Sequence, residues 1–147
     1  MANGPSARSG AGSSASSEIR IANRISEIER VAELVDSFGA DHELSNEVIV
    51  ALNVSLDEVL NNIISYGYED AGHHDIVVQL ELRGGQVEVV VEDDGKPFNP
   101  LLVPAPDLTA KSRIGGVGLH FVRNLTDQLD YARRDGFNQL RFMKKLK

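Results

Sequence analysis

The stretch at residues 55–68, SLDEVLNNIISYGY, decides how this chain is read, because an apolar helical stripe there carries polar residues that packing does not require. Leu52, Leu56, Val59 and Ile63 recur at helical spacing, and Ser55, Glu58 and Asn62 form a second line beside them, bordering the core. Positions i and i+4 share a helix face, so the Glu58 carboxylate and the Asn62 amide project together. The helix should start near residues 42–45, run to about Tyr66 and stop at Gly67. Magnesium prefers oxygen ligands and keeps several waters, so an Asn carbonyl with nucleotide phosphates is a suitable coordination set. A carboxylate one turn earlier can polarise a hydroxyl or water aimed at a terminal phosphate. On this helix alone, two solvent-facing polar residues are the commoner explanation.

Working outward, residues 18–22 alternate in the manner of a short strand, and Ile25, Ile28, Val31, Ala32, Val35 and Phe38 give a first helix. Ser26 with Glu29 suggests a capping box for it, and Gly39 a C-terminal stop. Downstream, residues 75–83 and 86–92 alternate around Gly84-Gly85, a hairpin signature. Residues 94–114 hold four of the five prolines and no sustained period, so they read as a long loop. A helix opening at residues 115–118 and reaching about Gln128 follows, then a closing hairpin of residues 129–134 and 137–145 around Asp135-Gly136. This order predicts an α+β fold, a two-layer α/β sandwich with helices on one face of a mixed, mostly antiparallel sheet.

Two further segments carry chemistry. In VEDDGKPFNP, residues 91–100, a strand ends in Asp93-Asp94-Gly95, and a carboxylate there accepts hydrogen bonds only, which suits an exocyclic amino group such as that of adenine. A strand-ending Asp/Gly turn explains the same residues without a ligand. In KSRIGGVGL, residues 111–119, Gly115, Gly116 and Gly118 permit close approach of backbone to phosphate, and the following helix N-terminus offers free N–H groups, with Lys111 and Arg113 just upstream. The spacing fits neither a Walker A loop nor a Rossmann strand-turn-helix unit.

Taken in order, the three segments resemble the GHKL superfamily of ATPases and kinases, and within it the small bacterial anti-sigma-factor serine/threonine kinases. The similarity runs from about Ile19 to the C-terminus. It implies that Glu58 is a catalytic base and Asn62 a magnesium ligand, as in the Glu-x-x-x-Asn box. Asp93 and Gly95 would recognise adenine. Gly115, Gly116, Val117, Gly118 and Leu119 would lie beside the phosphates of ATP, with Lys111 and Arg113 as additional phosphate contacts. Pro97 stands where many superfamily members have a further Gly, a departure that favours the anti-sigma branch over the chaperones. The implied function is Mg-ATP-dependent phosphorylation of a small anti-sigma antagonist, together with sequestration of a sigma factor by a homodimer. The alternatives are an ATP-binding module that sequesters a partner without transfer, and the catalytic domain of a split histidine kinase.

The 147 residues, 41% hydrophobic and 25% charged, suit one globular domain, expected over residues 18–147 after a disordered Gly/Ser-rich tail at 1–17. A net charge of −7 argues against direct nucleic-acid binding, and the lack of cysteine excludes disulfides and thiolate chemistry. No apolar run approaches a membrane span on this reading, and a cytoplasmic location is expected. His73-His74-Asp75 reads as a solvated turn. No extra helical hairpin is evident to carry a phosphoacceptor histidine.

Overall fold

The computed structural model describes residues 15–99 and 116–147, with side chains in the second segment from Phe121 onward. Among these residues five strands form one sheet: β1 (Ala15–Ala22), β2 (Asp75–Arg83), β3 (Gln86–Asp93), β4 (Gln128–Arg134) and β5 (Phe137–Lys145), in the order β1-β2-β3-β5-β4. All four pairings among the described residues are antiparallel, so the mixed sheet expected from the sequence is corrected to an antiparallel one. Both hairpins turn where the composition placed them, with positive φ at Gly84 and Gly85 and at Asp135 and Gly136.

The first strand begins at Ala15, where the expected tail reached Ser17. Ala15, Ser16 and Ser17 pair with Leu82, Glu81 and Leu80. Their side chains are small, but the open edge of β2 offers backbone groups that any residue can satisfy.

Alternation in the strands sends Ile76, Val78, Leu80, Val87, Val89, Val91, Leu140 and Phe142 to one face, all buried in a single apolar cluster with the helices. The other face carries polar pairs, such as Gln139 Nε2 donating to Glu92 Oε2 at 3.2 Å and Gln79 Nε2 to Glu18 Oε1 at 2.7 Å. One wet face and one dry face give the two-layer sandwich.

Among the described residues, three helices cover the dry face: α1 (Ile28–Asp41), α2 (Asn46–Tyr66) and α3 (Gly116–Leu125). The Ser26/Glu29 capping box does not form. A 3-10 turn at Ile25–Glu27 precedes α1, and Glu27 Oε1 accepts from the Ala22 N–H at 3.2 Å and from Arg30 Nη1 at 2.9 Å. Nor does Gly39 stop α1, which continues to Asp41. A Cβ at Gly39 would lie 2.6 Å from Ile49 Cδ1, so this glycine serves the close approach of α1 to α2. At the start of α2, Ser45 Oγ caps the helix by accepting from the Val48 N–H at 3.2 Å. The end of α3 falls at Leu125, three residues short of expectation: the Thr126 N–H still makes a helical bond to Val122 O, but the Asp127 N–H leaves the helix for Met143 O.

By length and composition α2 is apolar enough to cross a membrane, at a mean hydropathy of 1.4, which corrects the reading that no segment approaches a span. Part of its apolar surface is used internally, while Val50 and Val54 are exposed. Val48, Ala51, Leu52, Leu56, Val59 and Leu60 are buried in the core cluster or beside it, where each large side chain contributes about 1.5–3 kcal/mol.

Candidate functional site

Ser55, Glu58 and Asn62 run along α2 from core to rim. Ser55 is wholly buried, and its hydroxyl has no hydrogen-bond partner among the described residues, while Glu58 and Asn62 are half-buried. Partial burial, and secondarily the adjacent Asp57, push the Glu58 carboxyl above its ordinary value, making it a stronger base. Asn62 Nδ2 donates to the Glu58 backbone carbonyl at 2.7 Å, so the amide's oxygen is the end left for a ligand. Asn61 makes the same bond to the Asp57 carbonyl, at 2.7 Å, from a more exposed position. What separates the two asparagines is thus the helix face, as their spacing from Glu58 requires.

Asp93, the last residue of β3, is buried at 4% exposure. The register puts it in an inward row with Ile21, Ile76 and Asn138, at the end of the dry face. Its Oδ1 accepts from the Gly95 N–H at 2.8 Å and from Asn138 Nδ2 at 3.1 Å. Desolvation raises its pKa, and these two hydrogen bonds partly offset the rise. With Oδ1 doubly engaged, Oδ2 is the acceptor left for a ligand.

Sequence reasoning missed Asn138. Its Nδ2 also reaches Lys96 O at 2.8 Å, and its Oδ1 accepts from the Tyr131 hydroxyl, so it holds the whole Asp93–Lys96 turn. The signal was present, since Asn138 stands in phase with the buried Leu140 and Phe142, where a polar residue needs a reason. Arg133 Nη1 adds a bond to Gly95 O at 2.7 Å.

The turn is also joined to α2. The Lys96 N–H donates to Gly67 O at 2.7 Å, and Gly95 passes so near that a Cβ there would lie 2.6 Å from Gly67 O and 2.9 Å from Asp93 Oδ1. Gly67 has ordinary helical φ, so both glycines are needed for proximity. Gly95→Ala is therefore expected to destabilise the fold by about 1–3 kcal/mol and to weaken ligand binding at Asp93. Denaturant unfolding checks this, and unchanged stability would mean that the approach is not tight.

His73 and His74 part company in the structure. His73 is 65% exposed beside Asp75, as a solvated turn predicts. The His74 side chain is only 20% exposed and bonds Asp70 and Asp94, which corrects that reading for this residue. Among the described residues no cluster of three or more His, Asp or Glu could hold a metal ion, so a cation here would rely on Asn62 and ligand oxygens. One protein oxygen supplemented by phosphate and water suits magnesium.

Gly116, Val117, Gly118 and Leu119 form the first turn of α3, and α3 packs against α2, the helix that carries Glu58 and Asn62. Lys111, Arg113 and Gly115 lie outside the described residues.

Residues 21–144 match the family model of the histidine kinase-like ATPase domain, and the chain belongs to that family. It is 34% identical over 94 residues to the serine/threonine-protein kinase BtrW of Bordetella bronchiseptica, a match that covers 60% of this chain and 65% of BtrW. The fold resembles the crystal structure of the RsbU and RsbW domains of Rv1364c from Mycobacterium tuberculosis, with a TM-score of 0.66 and 17% identity over 89% of this chain and 32% of that one. The chain is thus an ATP-binding domain of the GHKL type.

Proposed function

We propose that this protein is a Mg-ATP-dependent serine/threonine kinase of the anti-sigma-factor type. The observation that carries the proposal is the pairing on α2 of a half-buried Glu58 with Asn62 one turn on, in a helix whose end is bonded to the buried Asp93 turn. The likeness to a named serine/threonine kinase supports the same reading.

In this reading Asp93 Oδ2 accepts from the exocyclic amino group of adenine, and the α3 N-terminus at residues 116–119 faces the phosphates, with Lys111, Arg113 and Gly115 as further contacts. Asn62 Oδ1 holds magnesium. Bound Mg-ATP supplies the γ-phosphoryl group, and Glu58 takes or orients the proton of the acceptor hydroxyl. Catalysis then rests on positioning and charge neutralisation, as is usual for phosphoryl transfer. The proposed acceptor is a serine or threonine of a small anti-sigma antagonist, and a sigma factor is the sequestered partner of a cytoplasmic homodimer.

The test is to incubate the protein with Mg-ATP and its co-purifying partners, then map phosphorylated residues by mass spectrometry. Acid-stable phosphate on a serine or threonine is expected. Stoichiometric ATP binding without a phosphoprotein would replace the kinase by a sequestering module, and acid-labile phosphate would indicate a split histidine kinase.

A further inference from the structure

His74 occupies a junction of three parts of the molecule. Its backbone N–H donates to Asn23 Oδ1 and its carbonyl accepts from the Asn23 N–H, both at 3.0 Å, which fixes it beside the end of β1. Its ring stacks on Tyr68, just past the end of α2, with centroids 4.3 Å apart and planes 17° from parallel. Nε2 meets Asp70 Oδ1 at 2.9 Å and Oδ2 at 3.1 Å, in the connection from α2 to β2. Nδ1 meets Asp94 Oδ1 at 3.0 Å and Oδ2 at 3.2 Å, in the turn that begins with Asp93.

Ionised carboxylates only accept hydrogen bonds, so both ring nitrogens donate, and the bridge is that of an imidazolium. A neutral ring has one N–H and can keep only one of the two bonds. We propose that His74 is a positioning residue, whose charged ring fastens the base-reading Asp93–Asp94 turn to the end of α2 and so strengthens nucleotide binding. This rests on the assignment of Asp93 to the nucleobase. Gly67 O and the Lys96 N–H make the neighbouring backbone link, and the His74 bridge is the link that deprotonation can open.

The surroundings favour the charged ring. Asp70 first, then Asp94, raise its pKa against the opposing effect of burial. Asp93 and Asp75 act on the adjoining Tyr68, while Asp75 is itself paired with His73 and Arg20, and Asn23 from β1 is neutral. The sign follows: the bridge is complete below the ordinary histidine value of about 6.5 and is lost as pH rises through the raised folded-state value. Because affinity and protonation are linked, nucleotide must raise the His74 pKa by the logarithm of the factor by which protonation tightens binding.

The experiment measures the affinity of the full chain for a fluorescent ATP analogue from about pH 6 to about pH 9, in wild type, His74→Gln, Asp70→Asn and the control His73→Gln. The terminal phosphate titrates in the same range in every protein, so the difference between curves is the readout. Wild type and His73→Gln are expected to lose about three- to tenfold in affinity on the alkaline side relative to His74→Gln, with Asp70→Asn closer to His74→Gln. NMR titration of the His74 ring, assigned by its absence in His74→Gln, should show nucleotide moving its midpoint upward. Parallel affinity curves, or a midpoint that nucleotide leaves in place, would overturn the positioning role. Failure of wild type to bind nucleotide at any pH would overturn the nucleotide reading and this role with it. Should His74→Gln fold poorly, Asp70→Asn and the wild-type midpoint decide the matter.

Discussion

Glu58→Ala is expected to lower phosphotransfer by about 10²–10⁴-fold, the range for removing a general base, while nucleotide affinity changes by less than about threefold. The residue sits on α2 beside the apolar stripe, and the Asn62 side chain is held by the backbone carbonyl of residue 58, which alanine retains. The substitution therefore deletes the carboxylate without releasing the amide assigned to magnesium. A second signature concerns pH. Burial raises the Glu58 pKa, and only the ionised form can take a proton, so wild-type transfer should fall as pH drops through that raised value. In Glu58→Ala this acid limb should vanish. Single-turnover transfer from labelled ATP across the acid range checks both parts, and undiminished transfer would remove Glu58 from the mechanism.

For Asp93→Asn the expected result is reversed, with nucleotide affinity falling about 10- to 100-fold, the worth of a hydrogen bond to a charged group plus the mispairing left behind. The new amide oxygen can still accept from the Gly95 N–H and Asn138 Nδ2, so the turn keeps its internal bonds. Its NH₂ then stands where Oδ2 was, a donor facing the amino group of the base. Burial disfavours the charged form of Asp93, so removing the charge should leave thermal stability unchanged or higher. Calorimetric titration with a non-hydrolysable ATP analogue measures the affinity and a melting curve the stability. Unchanged affinity would reject the adenine assignment, and a large loss of stability would point to a purely structural carboxylate.

The elements were legible where local chemistry sufficed. Period-two alternation located the hairpins, the Gly84-Gly85 and Asp135-Gly136 turns needed positive φ, and the start expected for α2 near residues 42–45 falls at Ser45, whose hydroxyl accepts from the Val48 N–H. Errors arose where a residue answers to a partner remote in sequence. Gly39 read as a helix stop because glycine usually is one, yet Ile49 is what it accommodates. His74 read as part of a solvated turn because Asp94 is 20 residues away, on another strand's end. Asn138 escaped notice because its 45-residue separation from Asp93 is closed only by the pairing of β3 with β5.

By itself, then, the sequence determined the element types, the wet and dry faces of the sheet and the i, i+4 pairing of Glu58 with Asn62, all of which follow from the repeat of the local backbone. The tertiary structure decided the antiparallel pairing throughout the described sheet, the burial that raises Glu58 and Asp93, the fastening of the Asp93 turn by Asn138 and Lys96, and the placing of the His74 ring between Asp70 and Asp94. Each of these depends on desolvation or on hydrogen bonds between distant segments, and such terms take their value only when the chain is closed upon itself.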